Sequence, residues 1–531
     1  MTIQPAHLII YNSRIYNQSP YNTALAIRDG EIAAIGSDND ILPMTGKQTK
    51  RIVGRGRWIL PALMDSHTHV IGYAARKLQV DLSDCESLAE GLKKITVRVE
   101  SSPEGDWITG GGWDKNKWNL SDFPSKQLLD EISARHFIAL DSKDWHSLWV
   151  NSPVLEKCAI SRDASDPPGG NIIRDENGEP SGIFQETARN LIFEEIPPPS
   201  VDKLLPAVLE TFQKFHQFGI TSAHSMETFS DFSIYQRLFE EGKLGLRIFW
   251  YLPGKQLSAV DELDGRLRSG NSFVKICGVK LFADGALGSQ SAEMLEDYNG
   301  LDHAGISVLS REELRELVGK CVSQKLACAI HAIGDKANRK VLSTFREFFR
   351  ESQNAGLRHR VEHAQLLHPD DITSFQKYDV IASMQPIHLA ADIPMIEEYW
   401  GERGRLAYAF ASLANSGARL IFGSDTPIES FDPWKAIYTA VERKVLVNPK
   451  ADSFYPEERI TINQAIQAYT SGSSWAVGEE LSLGSLEIGK QADLIMLDQD
   501  IFSESSEVLL STKVLLTLLS GKVVYQNVDF D

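Results

Sequence analysis

Eight apolar, strand-like runs recur along the middle of the chain, each separated from the next by segments with helical texture. In order they are LPALMDSHTH, ITSAH, LRIFWYLP, ICGVKLFADG, LACAIHAIGD, RHRVEHAQ, VIASMQPIH and ARLIFGSD. Alternation of this kind is the pattern of repeated βα units, and eight of them fit a closed parallel barrel better than an open sheet. The expected fold class is therefore α/β, a (β/α)₈ TIM-like barrel. A barrel commonly needs about 250 residues, and this chain has 531. Insertions and a satellite domain must account for the remainder.

Both ends of the chain have a different texture. LIIYNSRIYN, ALAIRDGEIAAIG with its DG turn, and RIVGRGRWILPALMD alternate in the manner of short strands, as do GSLEIGKQADLIMLDQD and KVLLTLLSGKVVYQN near the C-terminus. A small composite β-sandwich is expected from residues 1–60 and 479–531, with the barrel starting at 61–77 and resuming over 201–478. Between them, residues 78–200 break the βα rhythm with the turn-rich runs GGGWDKNKWN, DPPGGN and IPPPS. Five of the ten tryptophans, Trp107, Trp113, Trp118, Trp145 and Trp149, fall in this interval, which is therefore expected to pack a core of its own. Because it leaves the chain directly after the first barrel strand, it is also expected to cover the barrel mouth as a lid or substrate domain.

His67 and His69 follow an apolar run in ALMDSHTHV. Residues i and i+2 of a strand face one side, so both imidazoles can reach a single metal ion. An HxH pair alone is weak evidence. Its weight comes from Lys280 ending ICGVK, His331 ending LACAIH, His363 after RHRVE and Asp425 after LIFGS. Each sits at the C-terminal end of a strand-like run, where barrel enzymes gather their reactive groups. A lone histidine is more often a hydrogen-bonded core residue, and His224, after ITSA without a partner motif, reads better that way. Glu186 in GIFQETA is read as a helix opener as readily as a binding group.

HTH, the lysine of VKLFADGALGSQSA, HAIGD, EHAQ and GSD, in this order, resemble the amidohydrolase superfamily. GGWD, DWHSLWVNSPVL, PSGIFQETA, GSDTPIESFDPW and ADLIMLD resemble more closely its YtcJ-like branch, which includes N-substituted formamide deformylases. The resemblance covers nearly the whole chain and implies the barrel, the composite β domain and the insertion. It also implies that His67, His69, His331, His363 and Asp425 are metal ligands, and that Lys280 is a carbamylated bridging ligand. Where the branch often shows DGH, this chain has Asp144-Trp145-His146, which keeps the histidine and adds bulk beside it. Trp113, Asp114, His146 and His388 are candidate substrate-binding residues, with packing or loop-fixing roles of equal weight.

Imidazoles and carboxylates suit Zn²⁺ or a similar borderline divalent ion, which lowers the pKa of bound water to about 7. One or two ions are expected, two if Lys280 is carbamylated. The reading is a metal-dependent hydrolase cleaving a non-peptide C–N bond, of amide or N-substituted formamide type, with Asp425 as general base and then general acid. The alternatives are a single-metal deaminase or cyclic-amide hydrolase, and a non-catalytic regulatory protein on the same scaffold. A net charge of −18 argues against nucleic-acid binding, which needs a basic face. The first residues lack a basic leader and a long apolar stretch, so neither secretion nor a membrane partner is expected. Five cysteines without CxxC spacing suit a reducing compartment. A cytoplasmic protein acting on a small molecule is expected, with a homodimer the usual oligomer.

Overall fold

The computed structural model describes residues 4–144, 146–262, 273–446, 448 and 450–530. Its central element is an eight-stranded parallel sheet. The strands are β1 (Leu63–Thr68), β2 (Ile220–Ser225), β3 (Arg247–Pro253), β4 (Val274–Phe282), β5 (Ala327–Ala332), β6 (Arg360–His363), β7 (Ile381–Met384) and β8 (Leu420–Phe422). Each overlaps one of the eight runs, β2 extending one residue beyond its run and β4 starting two residues before its own, and each pairs with its neighbour in sequence order. Every residue of β1, β2, β5, β6 and β7 is buried. That is the condition of a parallel sheet covered on both faces, and it explains why the runs read as continuously apolar instead of alternating.

The seam between β8 and β1 is drawn together just past the end of β8. Asp425 N donates to His67 O at 2.6 Å and Ser424 N to Asp65 Oδ1 at 2.9 Å. Gly423 makes this approach feasible, because a Cβ there would stand 2.3 Å from the His67 backbone nitrogen. Two residues on each side of the seam, Asp65 and His67 on one and Ser424 and Asp425 on the other, are thereby held together.

The two chain ends meet in a β-sandwich. One sheet has the order Glu31–Gly36, Ala24–Arg28, Ala6–Tyr11, Thr45–Val53; the other runs Arg14–Ile15, Trp58–Pro61, Leu494–Leu497, Val514–Leu519, Lys522–Gln526. Leu8, Ile10 and Leu25 from the first share one core with Leu494, Met496, Leu516 and Leu518 from the second. A buried ion pair ties this layer to the barrel, with Arg247 Nε of β3 2.8 Å from Asp493 Oδ2.

Residues 72–208 form a second compact unit, inserted in a first that comprises 1–71 and 209–531. Its six-stranded sheet has the order Gly170–Arg174, Pro180–Glu186, Ser147–Val150, Phe137–Ser142, Trp107–Trp113, Val80–Asp81. Ile138, Leu140, Trp149 and Ile183 enter one core, while Ala139, Leu148, Val150 and Phe184 enter another. The period-two division is that of a sheet with an apolar layer on each face. Among the described residues no helix is long and apolar enough to cross a membrane.

Candidate metal centre

The ligating atoms of His67, His69 and Asp425 lie within 4.8 Å of one another. Asp425 Oδ1 is 3.4 Å from His67 Nε2 and 3.3 Å from His69 Nε2. His67 lies in β1 and His69 one residue past its end, and the seam delivers the carboxylate to both. Asp425 also has φ +58°, a left-handed conformation that a residue bearing a Cβ rarely adopts. His363, at the end of β6, has φ +71°. Backbone of this kind persists where the surrounding structure enforces it.

A second set shares the same aspartate. The ligating atoms of His363, His388 and Asp425 also lie within 4.8 Å of one another, with His388 Nε2 3.9 Å from Asp425 Oδ2. His388 stands in the first turn of the helix Pro386–Tyr399 that follows β7. Sequence reasoning placed it among substrate contacts; its position beside the carboxylate makes it a candidate donor as well.

Lys280 and His331 approach the group from β4 and β5 without joining either set. The ammonium of Lys280 donates to His67 Nε2 at 3.3 Å, and among the described residues it has no carboxylate partner. Asp284, an obvious candidate for that pairing, instead accepts from the backbone N–H groups of Glu293, Ile333 and Gly334. The His331 ring is 4.6 Å from that of His363, but its Nε2 is turned toward Gly285 O at 2.9 Å.

Behind His67 lies a buried polar cluster that the motifs did not single out. Glu362 Oε2 is 2.6 Å from His67 Nδ1. Arg360 grips Glu362 through Nε and Nη2, the latter at 3.0 Å. Its Nη1 reaches His224 Nδ1 at 2.8 Å, and Nη2 also reaches Ser383 Oγ at 2.8 Å and the Ser66 carbonyl. Arg360, Glu362 and His224 are completely buried. The missed signal was the pair of opposite charges at i and i+2 inside an otherwise buried strand, which needs partners to be tolerated. His224 is a structural neighbour of Arg360, as its lack of a partner motif suggested.

Burial decides the protonation of most of these groups. It lowers His67 to about 4, assisted by the Lys280 charge, and His331 to about 4 for the same two reasons. His363 is held well below its ordinary value by burial and by neighbouring His331. Burial opposes ionisation of Asp425, yet His67 and the hydrogen bond from His69 outweigh it and keep the carboxylate well below its usual range. Burial also lowers Lys280 to about 8. His69 is the exception, raised because its hydrogen bond to Asp425 and that carboxylate's charge outweigh burial. The imidazoles of His67, His331 and His363, held neutral beside an ionised carboxylate, belong to a donor set that fits a divalent ion such as zinc.

The expected site residues of the inserted unit have local roles. Trp113 is buried in that unit's core, where its indole N–H donates to Leu140 O at 2.7 Å. Asp114 Oδ1 accepts from Asn116 N at 2.9 Å, closing a local turn. His146 is exposed and pairs through Nδ1 with Glu186 at 2.9 Å. Glu186 ends the strand Pro180–Glu186 and caps the 3₁₀ turn Thr187–Arg189, which runs straight into the short α-helix Asn190–Phe193. Trp145 lies outside the described residues.

Comparison with known proteins accords with this arrangement. The model of the amidohydrolase family matches residues 55–525. The chain is 32% identical to the protein LONG AFTER FAR-RED 3 of Arabidopsis thaliana, over 98% of this chain and 92% of that one. It is 31% identical to YtcJ of Bacillus subtilis, named as an amidohydrolase, over 95% and 96%. With the N-substituted formamide deformylase of Arthrobacter pascens the identity is 24%, over 98% and 99%. Among solved structures, an uncharacterized metal-dependent hydrolase of Pyrococcus furiosus aligns with a TM-score of 0.78 and 27% identity, covering 93% of this chain and 99% of that one. An eight-stranded parallel barrel sheet, a histidine and aspartate cluster at the ends of its strands, and a family match over most of the sequence converge on one statement: the chain belongs to the amidohydrolase family, in its YtcJ-like branch.

Proposed function

We propose that this protein hydrolyses a non-peptide C–N bond in a small amide or N-substituted formamide. The observation that carries the reading is the approach of His67, His69 and Asp425 from the two strands of the barrel seam. In this reading those three hold zinc or a similar ion, with His331, His363 and Lys280 completing the surroundings. Such an ion, when bound, polarises the carbonyl of the substrate and makes water acidic enough to supply a nucleophile near neutral pH.

The chain's own groups supply the rest. Asp425 is ionised and faces the imidazoles through Oδ1. It therefore takes the proton of the attacking water and returns it to the leaving nitrogen, which must depart as an amine. His388, close to Asp425 Oδ2, is positioned to hold a substrate oxygen or nitrogen beside the base. The burial of His67, Lys280, Glu362 and His363 keeps the surroundings low in dielectric, where fixed charges act more strongly than in water. Lys280, without a carboxylate partner among the described residues, is the group we assign to carbamylation by CO₂; the product would replace one cation by an anion with two donor oxygens.

The test is a panel of N-acyl amides, substituted formamides, cyclic amides, carbamates and esters, assayed with chelator-stripped protein before and after Zn²⁺ is restored. Turnover of amide or formamide substrates that appears only with metal supports the reading. Metal-independent turnover, or turnover confined to esters or dipeptides, overturns it. Two metals per active chain with added mass on Lys280 would support carbamylation, and one metal with an unmodified lysine would remove it.

A further inference from the structure

We infer that Glu362, held in place by Arg360, is a positioning residue that fixes the tautomer of His67 so that its Nε2 lone pair points to the metal position. The inference rests on the metal-centre reading above, but concerns groups that reading does not use.

An imidazole can ligate a metal through either nitrogen, and the hydrogen bond made by the other nitrogen decides which. At His67 that decision is built into the barrel. Nδ1 faces the Glu362 carboxylate at 2.6 Å. An ionised carboxylate only accepts hydrogen bonds, so Nδ1 must carry the proton. Nε2 is then an acceptor, and it is found accepting from the Lys280 ammonium at 3.3 Å. The two hydrogen bonds on opposite sides of the ring agree on this tautomer; Asp425 Oδ1, 3.4 Å from Nε2, is the one acceptor that competes for the proton, at a longer distance than the 2.6 Å of Glu362.

The same assignment requires Glu362 to stay ionised although it is fully buried. Arg360 secures this from the same strand, two residues earlier, where β alternation puts both side chains on one side. The guanidinium is itself fixed by β1 through Ser66 O, β2 through His224 and β7 through Ser383, while the ring of Tyr251 in β3 lies 4.9 Å away. Glu362 thus cannot swing toward solvent or rotate away from His67. His363, next in sequence, would face the opposite side of a regular strand. Its left-handed backbone removes it from the alternation, which is how β6 can supply both the group behind His67 and a residue of the cluster in front of it.

A buried ion pair can also be a purely architectural feature, and the two roles separate experimentally. In Glu362→Gln the side chain keeps its size and loses its charge. Zn²⁺ affinity of chelator-stripped protein, measured by competition with a chromophoric chelator, is expected to weaken about 10–100-fold. Because this variant leaves Arg360 buried without its counter-charge and can fail to fold, the double variant Arg360→Met/Glu362→Gln is measured with it. The double variant is expected to regain thermal stability without regaining Zn²⁺ affinity; an architectural pair would restore both together.

Ring-¹⁵N NMR of the metal-free wild type, with His67→Asn for assignment, reads the tautomer directly. A proton on Nδ1 in the wild type, and a mixture of tautomers in the folded variants, is expected. A proton on Nε2 in the wild type, or Zn²⁺ affinity within about twofold of wild type in a folded variant, overturns the inference. If the wild type binds no Zn²⁺, the metal reading fails on its own, while the NMR result still decides whether Glu362 sets the tautomer.

Discussion

Asp425 combines three demands in one side chain: it is buried, ionised, and in contact with imidazoles from His67 and His69. Asp425→Asn retains a donor oxygen but cannot accept a proton at neutral pH. In protein shown to be fully metallated, kcat should fall about 10²–10⁴-fold with a smaller change in KM; near-normal turnover would exclude the base. A different histidine controls stability. His359, remote from the cluster, accepts from Cys328 N at 2.9 Å, meets Ser352 Oγ at 2.8 Å and stacks on Phe345. Burial pushes its imidazole down to about 4. Since the folded value lies below the unfolded one, about 6.5, its contribution is complete above pH 6.5 and is lost as pH falls toward 4, by about 3 kcal/mol in all. His359→Gln, neutral throughout, should show a shallower loss of stability between pH 6.5 and 4 in urea titrations; an unchanged slope would refute this. At this scale the HxH pair and Asp425 were readable because strand period and strand ends are written in pattern. Glu362 was not: alternation sets it opposite His363, and only the positive φ at His363 brings both to the same centre. Nor could the core position of Trp113 be told from a ligand-facing one, because an indole serves either purpose.

At the level of elements, the barrel strands were legible because a parallel strand buried on both faces leaves an unbroken apolar run, and each run ended near the residue expected to do chemistry. Strand lengths were less so. β4 continues two residues past Lys280, whereas β8 is only three residues long, so Asp425 comes from the turn after the strand. That turn depends on Gly423. An added Cβ would meet His67 N at 2.3 Å and Asp65 Oδ1 at 2.9 Å, and the first of these is backbone of the facing strand, which cannot step aside cheaply. Gly423→Ala should therefore cost about 1–3 kcal/mol of stability, as overpacking does. It should also separate His67 from Asp425, so Zn²⁺ affinity should drop with stability. A variant with wild-type urea midpoint and metal affinity would show that the seam is more compliant than this geometry allows.

On the scale of the whole molecule, the chain is a barrel whose two ends share one sandwich and whose first βα connection carries a separate compact unit. Turn-rich punctuation pointed to 78–200, and the compact unit spans 72–208. The difference arises at both borders from helices, Val70–Arg76 and Val201–Gln217, which continue across them without any compositional break. The pairing of terminal strands was not legible at all, since one of the two partners of Trp58–Pro61, Leu494–Leu497, lies more than 400 residues away. The inserted unit has what independent folding requires. It encloses a six-stranded sheet with an apolar core on each face, one including Trp113, Trp118 and Trp149, the other Val154, Phe184 and Ile192. Several of its internal polar groups are matched within it: Asn151 Oδ1 accepts from Ile138 N at 3.0 Å while Nδ2 donates to His136 O at 2.8 Å, and Trp149 Nε1 donates to Ser125 O at 3.0 Å. Residues 72–208 expressed alone should therefore give a soluble monomer that unfolds in one cooperative urea transition, with the fluorescence of its buried tryptophans and its far-UV circular dichroism changing together. Aggregation, or a gradual transition with the two probes out of step, would mean that the unit depends on the rest of the chain to fold.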